Sequence, residues 1–291
     1  VAFVLGDNRY GKAETRLLRV TRHGDRHEIR ELSVDVALEG DFDAVHLEGD
    51  NRALLPTDSQ KNTVYAFAAA EPPGEIEEFA LRLARHFVAA AHAVRRATVQ
   101  VAEHPWAPIE FSGAQHPHAF RRAGEERREA RAVAEAGAAQ VDAGLDGLVV
   151  LKSAGSEFRG FARDRYTTLE ESADRILATA VTARWRFATL DVDWAASFAE
   201  TRAALLQTFA GHHSLSLQHT LYEMGRGVLE LRPEVAEIRL RLPNRHHFDV
   251  DVARFGVGGR HEVFQIADRP YGLIEGTVRR EDAPPGPPLD W

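Results

Sequence analysis

The residues ETRLLRVTRHGDRHEIRELSVDV (14–36) decide the fold class. Two strand-like runs, TRLLRVTR (15–22) and HEIRELSVDV (27–36), flank the polar turn His23-Gly24-Asp25-Arg26. Runs of this kind on either side of a short Gly-containing turn are the signature of a β-hairpin, so the chain opens with antiparallel strands. A short strand is expected next, around Ala44 to Leu47. Then comes LLPTDSQKNT (54–63), a polar cluster between Leu54-Leu55 and a strand-like TVYAFA run from Thr63. Read alone, that cluster is a solvated loop joining two elements.

Residues 75–94, EIEEFALRLARHFVAAAHAV, place Ile76, Phe79, Leu83, Phe87 and Ala90-Ala91 at helical spacing after the breaker Pro72-Pro73-Gly74. Strand-like runs follow at Ala97 to Ala102 and Gly147 to Leu151. The second half repeats the order. A strand at 182–189 (TARWRFAT) leads into helices at Val192 to Ala210 and Ser216 to Glu230, then strands at Ile238 to Leu242 and His247 to Val252. The halves share element order rather than letters. This predicts an α+β protein of two tandem domains, each an antiparallel sheet with helices on one face. The Gly/Ala-rich run at 136–146 marks the boundary, giving domains at 1–140 and 141–280 and a Pro-rich tail at 281–291.

The chain has 291 residues, no cysteine, and 36 basic against 44 acidic residues for a net charge of −8. Absent cysteine removes disulfides, thiolate nucleophiles and cysteine-containing metal sites, and fits a reducing cytoplasm. The acidic balance gives no general attraction to nucleic acid. No run of about 18 apolar residues suggests a membrane span. A small anionic ligand would need a local cluster of Arg or Lys.

Histidine is frequent, with 14 residues and clusters at His116-Pro-His118, His212-His213 and His246-His247. His116 and His118 have strand spacing for a shared ligand, but Pro117 and the surrounding polar residues read as a loop. Adjacent His pairs point to opposite sides of a strand. No metal site is expected. Gly256-Val-Gly258-Gly259 has no helix after it, so a turn is expected there rather than a nucleotide fingerprint. Three segments carry more polar groups than a plain fold needs: NRYGK (8–12), SEFRGFARDRYTT (156–168) and LPNRHH (242–247), the last joining or interrupting two strands. Arg175 and Gln218 do not stand out on physical grounds.

The series YGK (10–12), TDSQKNT (57–63), HPHAF (116–120), LKSAGSEFRGF (151–161), RDRYTTLEESADRILAT (163–179), LQHTLYEMG (217–225) and LPNRHHFDVD (242–251) resembles the urate oxidase family in order and spacing, through GLIEGTV (272–278). The resemblance implies two tandem tunnelling-fold domains, with four chains stacked as barrels and active sites at subunit interfaces. It implies oxidation of urate by O2 and water to 5-hydroxyisourate and hydrogen peroxide, with no metal or organic cofactor. Lys12, Thr57 and His246 match the family's proton relay. Arg175 and Gln218 would grip opposite edges of the purine, and Phe158 would stack on its face. Leu217, where the family often has Val, and Asp58 would offer backbone amides. Asn244 would join Thr57 in holding O2. The chain ends Leu289-Asp290-Trp291 without the peroxisomal tripeptide, so a bacterial-type cytoplasmic enzyme is expected. The partners implied are urate, O2 and further copies of the same chain, with no nucleic acid and no membrane. The rival readings are a pterin- or GTP-directed enzyme of the same fold, a non-catalytic purine-binding barrel, and a metal-dependent hydrolase built on the His clusters.

Overall fold

The computed structural model describes residues 2–257, 261–284, 286 and 289, with the backbone alone at 268. The chain folds as two compact units, Val1–Gly144 with Thr189–Ala195, and Leu145–Ala188 with Ala196–Trp291. As expected, each is an antiparallel sheet carrying helices.

The first unit begins with the long hairpin β1 (Tyr10–His23) and β2 (Arg26–Gly40), turned at Gly24 in the left-handed region (φ 63°). Next come α1 (Asp43–Glu48), α2 (Thr57–Ala70) and α3 (Ile76–Ala90). The strands β3 (Val94–His104), β4 (Trp106–Phe111), β5 (Ala114–Arg122) and β6 (Arg127–Glu135) follow, and β7 (Ala138–Lys152) begins here. The ladder order is β1-β2-β3-β6-β7, and β4 pairs with β5 as a separate hairpin. Leu32, Val34, Val36 and Leu38 alternate onto the core face of β2, as a half-buried strand requires. Ile76, Phe79, Leu83 and Phe87 on α3 are fully buried.

The second unit takes β7 from Leu145, then β8 (Leu177–Phe187), α4 (Trp194–Gly211), α5 (Leu217–Leu231), β9 (Val235–Asp249) and β10 (Phe264–Arg279), in ladder order β7-β8-β9-β10. α5 buries Leu217, Leu221, Met224 and Val228, the one-face spacing of an amphipathic helix. Among the described residues, no helix is long and apolar enough to cross a membrane.

Several local expectations are overturned. Residues 44–47 belong to helix α1, which stops at Gly49 in the left-handed region (φ 72°) with its amide on the Ala44 carbonyl. TVYAFA is not a strand either. It continues α2, whose buried positions Gln60, Val64 and Ala68 recur every fourth residue while Tyr65 is exposed. Period outweighs the β-favouring composition of Val, Tyr and Phe. HPHAF is strand β5 rather than a loop. LPNRHH does not interrupt two strands but lies inside the continuous β9. The β8–β9 ladder skips Pro243, which has no N–H, and resumes in the same register. β6 and β10 had no counterpart among the expected strands. A short 3-10 turn (Ala253–Phe255) ends at Gly256, while Gly258 and Gly259 lie outside the described residues, as do 285, 287, 288, 290 and 291 of the expected tail.

Glu31 fastens the β4–β5 hairpin to β2. Trp106 donates its indole N–H to the Glu31 carboxylate at 2.8 Å, Arg122 lies at 2.7 Å, and Arg16 Nε donates at 2.6 Å. Burial pushes the carboxyl up, but these three bonds outweigh it and hold it at about 2, against an ordinary 4.5. Glu31 therefore adds stability that is complete above pH 4.5 and drains away as pH falls towards 2. Glu31→Gln should cost about 1–3 kcal/mol in urea unfolding at pH 7, because it leaves charged donors unmatched. The difference from the parent should shrink steadily in the same titration below pH 4.5.

Candidate functional site

Residues singled out in the sequence gather at two places, one in each unit. In the first, the YGK run of β1 works as a device. The Tyr10 hydroxyl donates to the Leu55 carbonyl oxygen at 3.2 Å and accepts from the Leu55 amide at 3.0 Å. This ties the approach to α2 against β1. Burial raises the Tyr10 pKa, opposed by the Leu55 bond, so the phenol stays neutral. A Cβ on Gly11 would sit 1.7 Å from the Val36 carbonyl oxygen, so only glycine lets the strands approach. Lys12 pairs with Val36, and the register then slips, with Thr15 opposite Val34. Glu14 in this bulge has φ 54° and donates its amide to the Asp35 carboxylate.

Thr57 is the first residue of α2, which corrects its expected place between strands. The amides of Thr57, Asp58 and Ser59 precede the first backbone bond of the helix, from Gln60 N to Pro56 O at 3.1 Å. They face outward at the positive end of the helix dipole, an arrangement suited to an anion. The Asp58 carboxylate is already engaged, by Lys61 at 2.6 Å and Asn62 at 2.9 Å. Lys61 is the main reason its pKa is lowered, and the charge of Lys12 adds to the effect. Lys12 and the start of α2 therefore share one electrostatic neighbourhood.

In the second unit the loop between β7 and β8 carries Phe158 and Arg175. Phe158 and Ser172 exchange backbone bonds at 2.9 and 3.1 Å, and the Arg175 amide donates to Ser156 O at 2.7 Å. The loop is also joined to the start of α5: Glu157 N donates to Ser214 O at 2.8 Å, and Ser214 N to Gly155 O at 3.0 Å. Phe161 lies parallel to Phe158 at 4.9 Å, and the Arg175 guanidinium carbon is 5.1 Å from the Phe158 ring centre. Burial disfavours the charge of Arg175, and its buried Nε has no hydrogen-bond partner in the protein. An unmatched N–H on a desolvated cation is costly unless a ligand meets it.

The N-terminus of α5 is placed by two glycines. A Cβ on Gly225 would lie 2.6 Å from Val278 and 3.4 Å from Ile238, and one on Gly276 would lie 3.0 Å from Leu221. Moving from 225 to 221 on the helix thus follows β9 from 238 towards 240, since Gly276 pairs with Leu240. One turn further back, Leu217 and Gln218 fall over the 242–244 end of the strand. Leu217 is buried and Gln218 exposed. Ser216 caps the helix by accepting from the His219 amide at 3.1 Å. Asn244 and His246 share one face of β9, and β10 bulges opposite them: Gly272 pairs with Asn244 but Ala267 with His246. The His246 pKa is lowered first by burial, then by Arg175 and His247, so the ring is neutral at pH 7.

Phe158, Arg175, Leu217, Gln218, Asn244 and His246 thus belong to one unit, and Lys12, Thr57 and Asp58 to the other. Sequence reasoning gave Tyr10 and Gly11 no role; a glycine inside a strand beside a lysine was the signal available. Among the described residues no group of three His, Asp or Glu side chains is placed to hold a metal ion.

A family model described as Uricase matches residues 8–133 and 141–275. The uricase of Arthrobacter globiformis is 51% identical over 278 residues, covering 96% of this chain and 90% of that protein. The uricase of Danio rerio is 38% identical over 278 residues, covering 94% and 93%. The crystal structure of the Arthrobacter globiformis uricase superposes with a TM-score of 0.93 at 50% identity, covering 99% of each chain.

NMR titration should place His246 below the ordinary 6.5, and Arg175→Gln should raise it by removing the nearby positive charge. An unchanged value in that variant would separate the two residues. Tyr10→Phe should cost about 1–3 kcal/mol of stability, measured by thermal unfolding, since the Leu55 amide and carbonyl lose their partner.

Proposed function

The chain belongs to the uricase family and is a urate oxidase, and from that premise we propose how its residues divide the work. Urate, O2 and water give 5-hydroxyisourate and hydrogen peroxide, without metal or organic cofactor. Two electrons pass from urate to O2, which leaves as peroxide, and water supplies the hydroxyl that bonds to the ring. The observation that carries this reading is the half-buried guanidinium of Arg175, whose buried Nε has no partner in the protein, beside the Phe158 ring. It suits a flat anion whose rim offers acceptors.

Arg175 binds one edge of the purine and Gln218 the other, with one amide donor and one acceptor. Phe158 supplies the stacking platform and Leu217 a backbone amide from the first turn of α5. Thr57 and Asp58 offer amides from the first turn of α2. Lys12, Thr57 and His246 form the relay that removes and returns protons: Lys12 is the base, the Thr57 hydroxyl passes the proton, and neutral His246 receives it. Asn244 and Thr57 hold O2, and then the attacking water, over the ring. Urate deprotonated to its dianion is electron-rich enough to reduce O2, so the protein's share is deprotonation and positioning. Lys12, Thr57 and Asp58 come from one subunit and the remaining groups from its neighbour in a homotetramer.

Chelator-treated protein should consume urate and O2 and release peroxide in equal amounts; loss of turnover on chelation would overturn the cofactor-free reading. Lys12→Met should leave anaerobic urate affinity within a few-fold while turnover falls by about 10²–10⁴, the usual span of a lost acid–base group. Near-normal turnover removes Lys12 from the mechanism. Mixing inactive Thr57→Ala chains with inactive Arg175→Ala chains should restore activity in hybrid assemblies, and no restoration would place the whole site within one chain.

A further inference from the structure

Thr179 is fully buried on β8, and its hydroxyl has no hydrogen-bond partner in the protein. A hydroxyl taken out of water without a partner costs about 1–3 kcal/mol by mutational measures, so its place calls for an explanation. The register supplies one. Thr179 lies directly opposite Asn244. Residues opposite one another in an antiparallel pair project to the same face, with Cβ atoms about 4.5–5.5 Å apart. Thr179, Val181, Ala183 and Trp185 continue one face of β8, and Ile238, Leu240, Leu242 and Asn244 the matching face of β9. All of these are buried except Asn244, which is half-buried at the end of the row. The apolar face therefore ends in two polar groups side by side, and in this structure the Thr179 hydroxyl is bonded neither to Asn244 nor to any other protein group.

We propose that Thr179 is a positioning residue for Asn244: as the site fills, rotation of the two facing side chains lets the Thr179 hydroxyl donate to the carboxamide oxygen, which aims the Asn244 NH2 outward as a donor. The inference rests on the assignment of Asn244 to the O2 and water position. The chemistry gives the direction a purpose. Oxygen gains electrons on its way to peroxide, and a donor stabilises the growing negative charge where a carbonyl oxygen would repel it. An Asn free to flip would present the wrong group part of the time. A fully buried Thr hydroxyl opposite it, itself shielded from water, removes that freedom.

Thr179→Val keeps the shape and deletes the hydroxyl. It should lower kcat/KM for O2 about tenfold, equivalent to about 1.4 kcal/mol, while anaerobic urate affinity stays within about twofold. Thr179→Ser, which retains the hydroxyl, should recover most of the O2 dependence; a Ser variant as impaired as Val would assign the effect to packing and overturn the proposal. In an Asn244→Ala background, Thr179→Val should add nothing. If Asn244→Ala impairs O2 use but Thr179→Val matches the parent, or if the two losses simply multiply, the positioning role falls and the Asn244 assignment stands. If Asn244→Ala itself leaves O2 use unchanged, the assignment of Asn244 falls and Thr179 with it.

Discussion

The close seat of a helix on its strands is the constraint on which the candidate residues of each unit depend. Four helix residues rise about 6 Å and two strand residues about 6.6 Å, so a helix packed tightly along a strand keeps register with it. α5 reaches that distance because Gly225 and Gly276 place no side chain in the contact. α2 is held differently. Tyr10 ties the chain just before its first turn, and Arg19 donates to the Ala68 and Ala69 carbonyls at its last. In each unit a helix N-terminus is brought to a strand where the ladder is irregular. β1 bulges after Lys12, and β10 bulges opposite Asn244 and His246. Bulges re-aim side chains, and helix N-termini supply unpaired amides, so the same local recipe is used twice.

A chain of net charge −8 is a poor host for an anion unless local terms prevail. Surface charges are screened within about 8–10 Å at ordinary ionic strength. A partly buried guanidinium is screened far less, and Arg175 has a buried Nε left unmatched beside the Phe158 ring. Its influence is visible on His246, whose protonation it opposes. The helix ends contribute about half an elementary charge each by dipole alignment, a smaller field than a full guanidinium but one aimed by the fold. Local cation, helix end and aromatic platform thus outweigh a diffuse negative background.

Much of the fold was legible from periodicity. The opening hairpin, α3, α4 and α5 stand close to their expected positions, and the cleanest one-faced apolar patterns are those of α3 and α5. In TVYAFA the apolar residues are a short run with β-favouring Val, Tyr and Phe, and only burial every fourth residue reveals the helix, while α1 at Ala44 to Leu47 is too short for a period to show and has no buried residue. Pro117 and Pro243 read as breaks, yet both sit in strands: the β8–β9 ladder passes Pro243 in one register, and the β4–β5 ladder accommodates Pro117 with a register shift. Lys12, Thr57 and Asn244 could be noticed as surplus polarity, and the resemblance supplied their candidate roles. Arg175 and Thr179 could not be noticed locally, since what distinguishes them is an unmatched buried atom, a property of three-dimensional packing.

The corrected position of Thr57 also alters the electrostatics it brings. In a solvated loop between strands its amide would have no fixed direction, leaving the hydroxyl alone. At the start of α2 the hydroxyl is accompanied by free amides of the first turn, and the helix dipole favours negative charge beside it. Asp58, next in sequence, would cancel this advantage if its carboxylate faced an incoming anion. Lys61 and Asn62, three and four residues further along the helix, draw that carboxylate back along α2 and neutralise it. Sequence spacing of i, i+3 and i+4 thereby converts an acidic residue into a helix-side ion pair. What remains at the tip is a hydroxyl and backbone donors, which can bind an anion without adding a charge of their own.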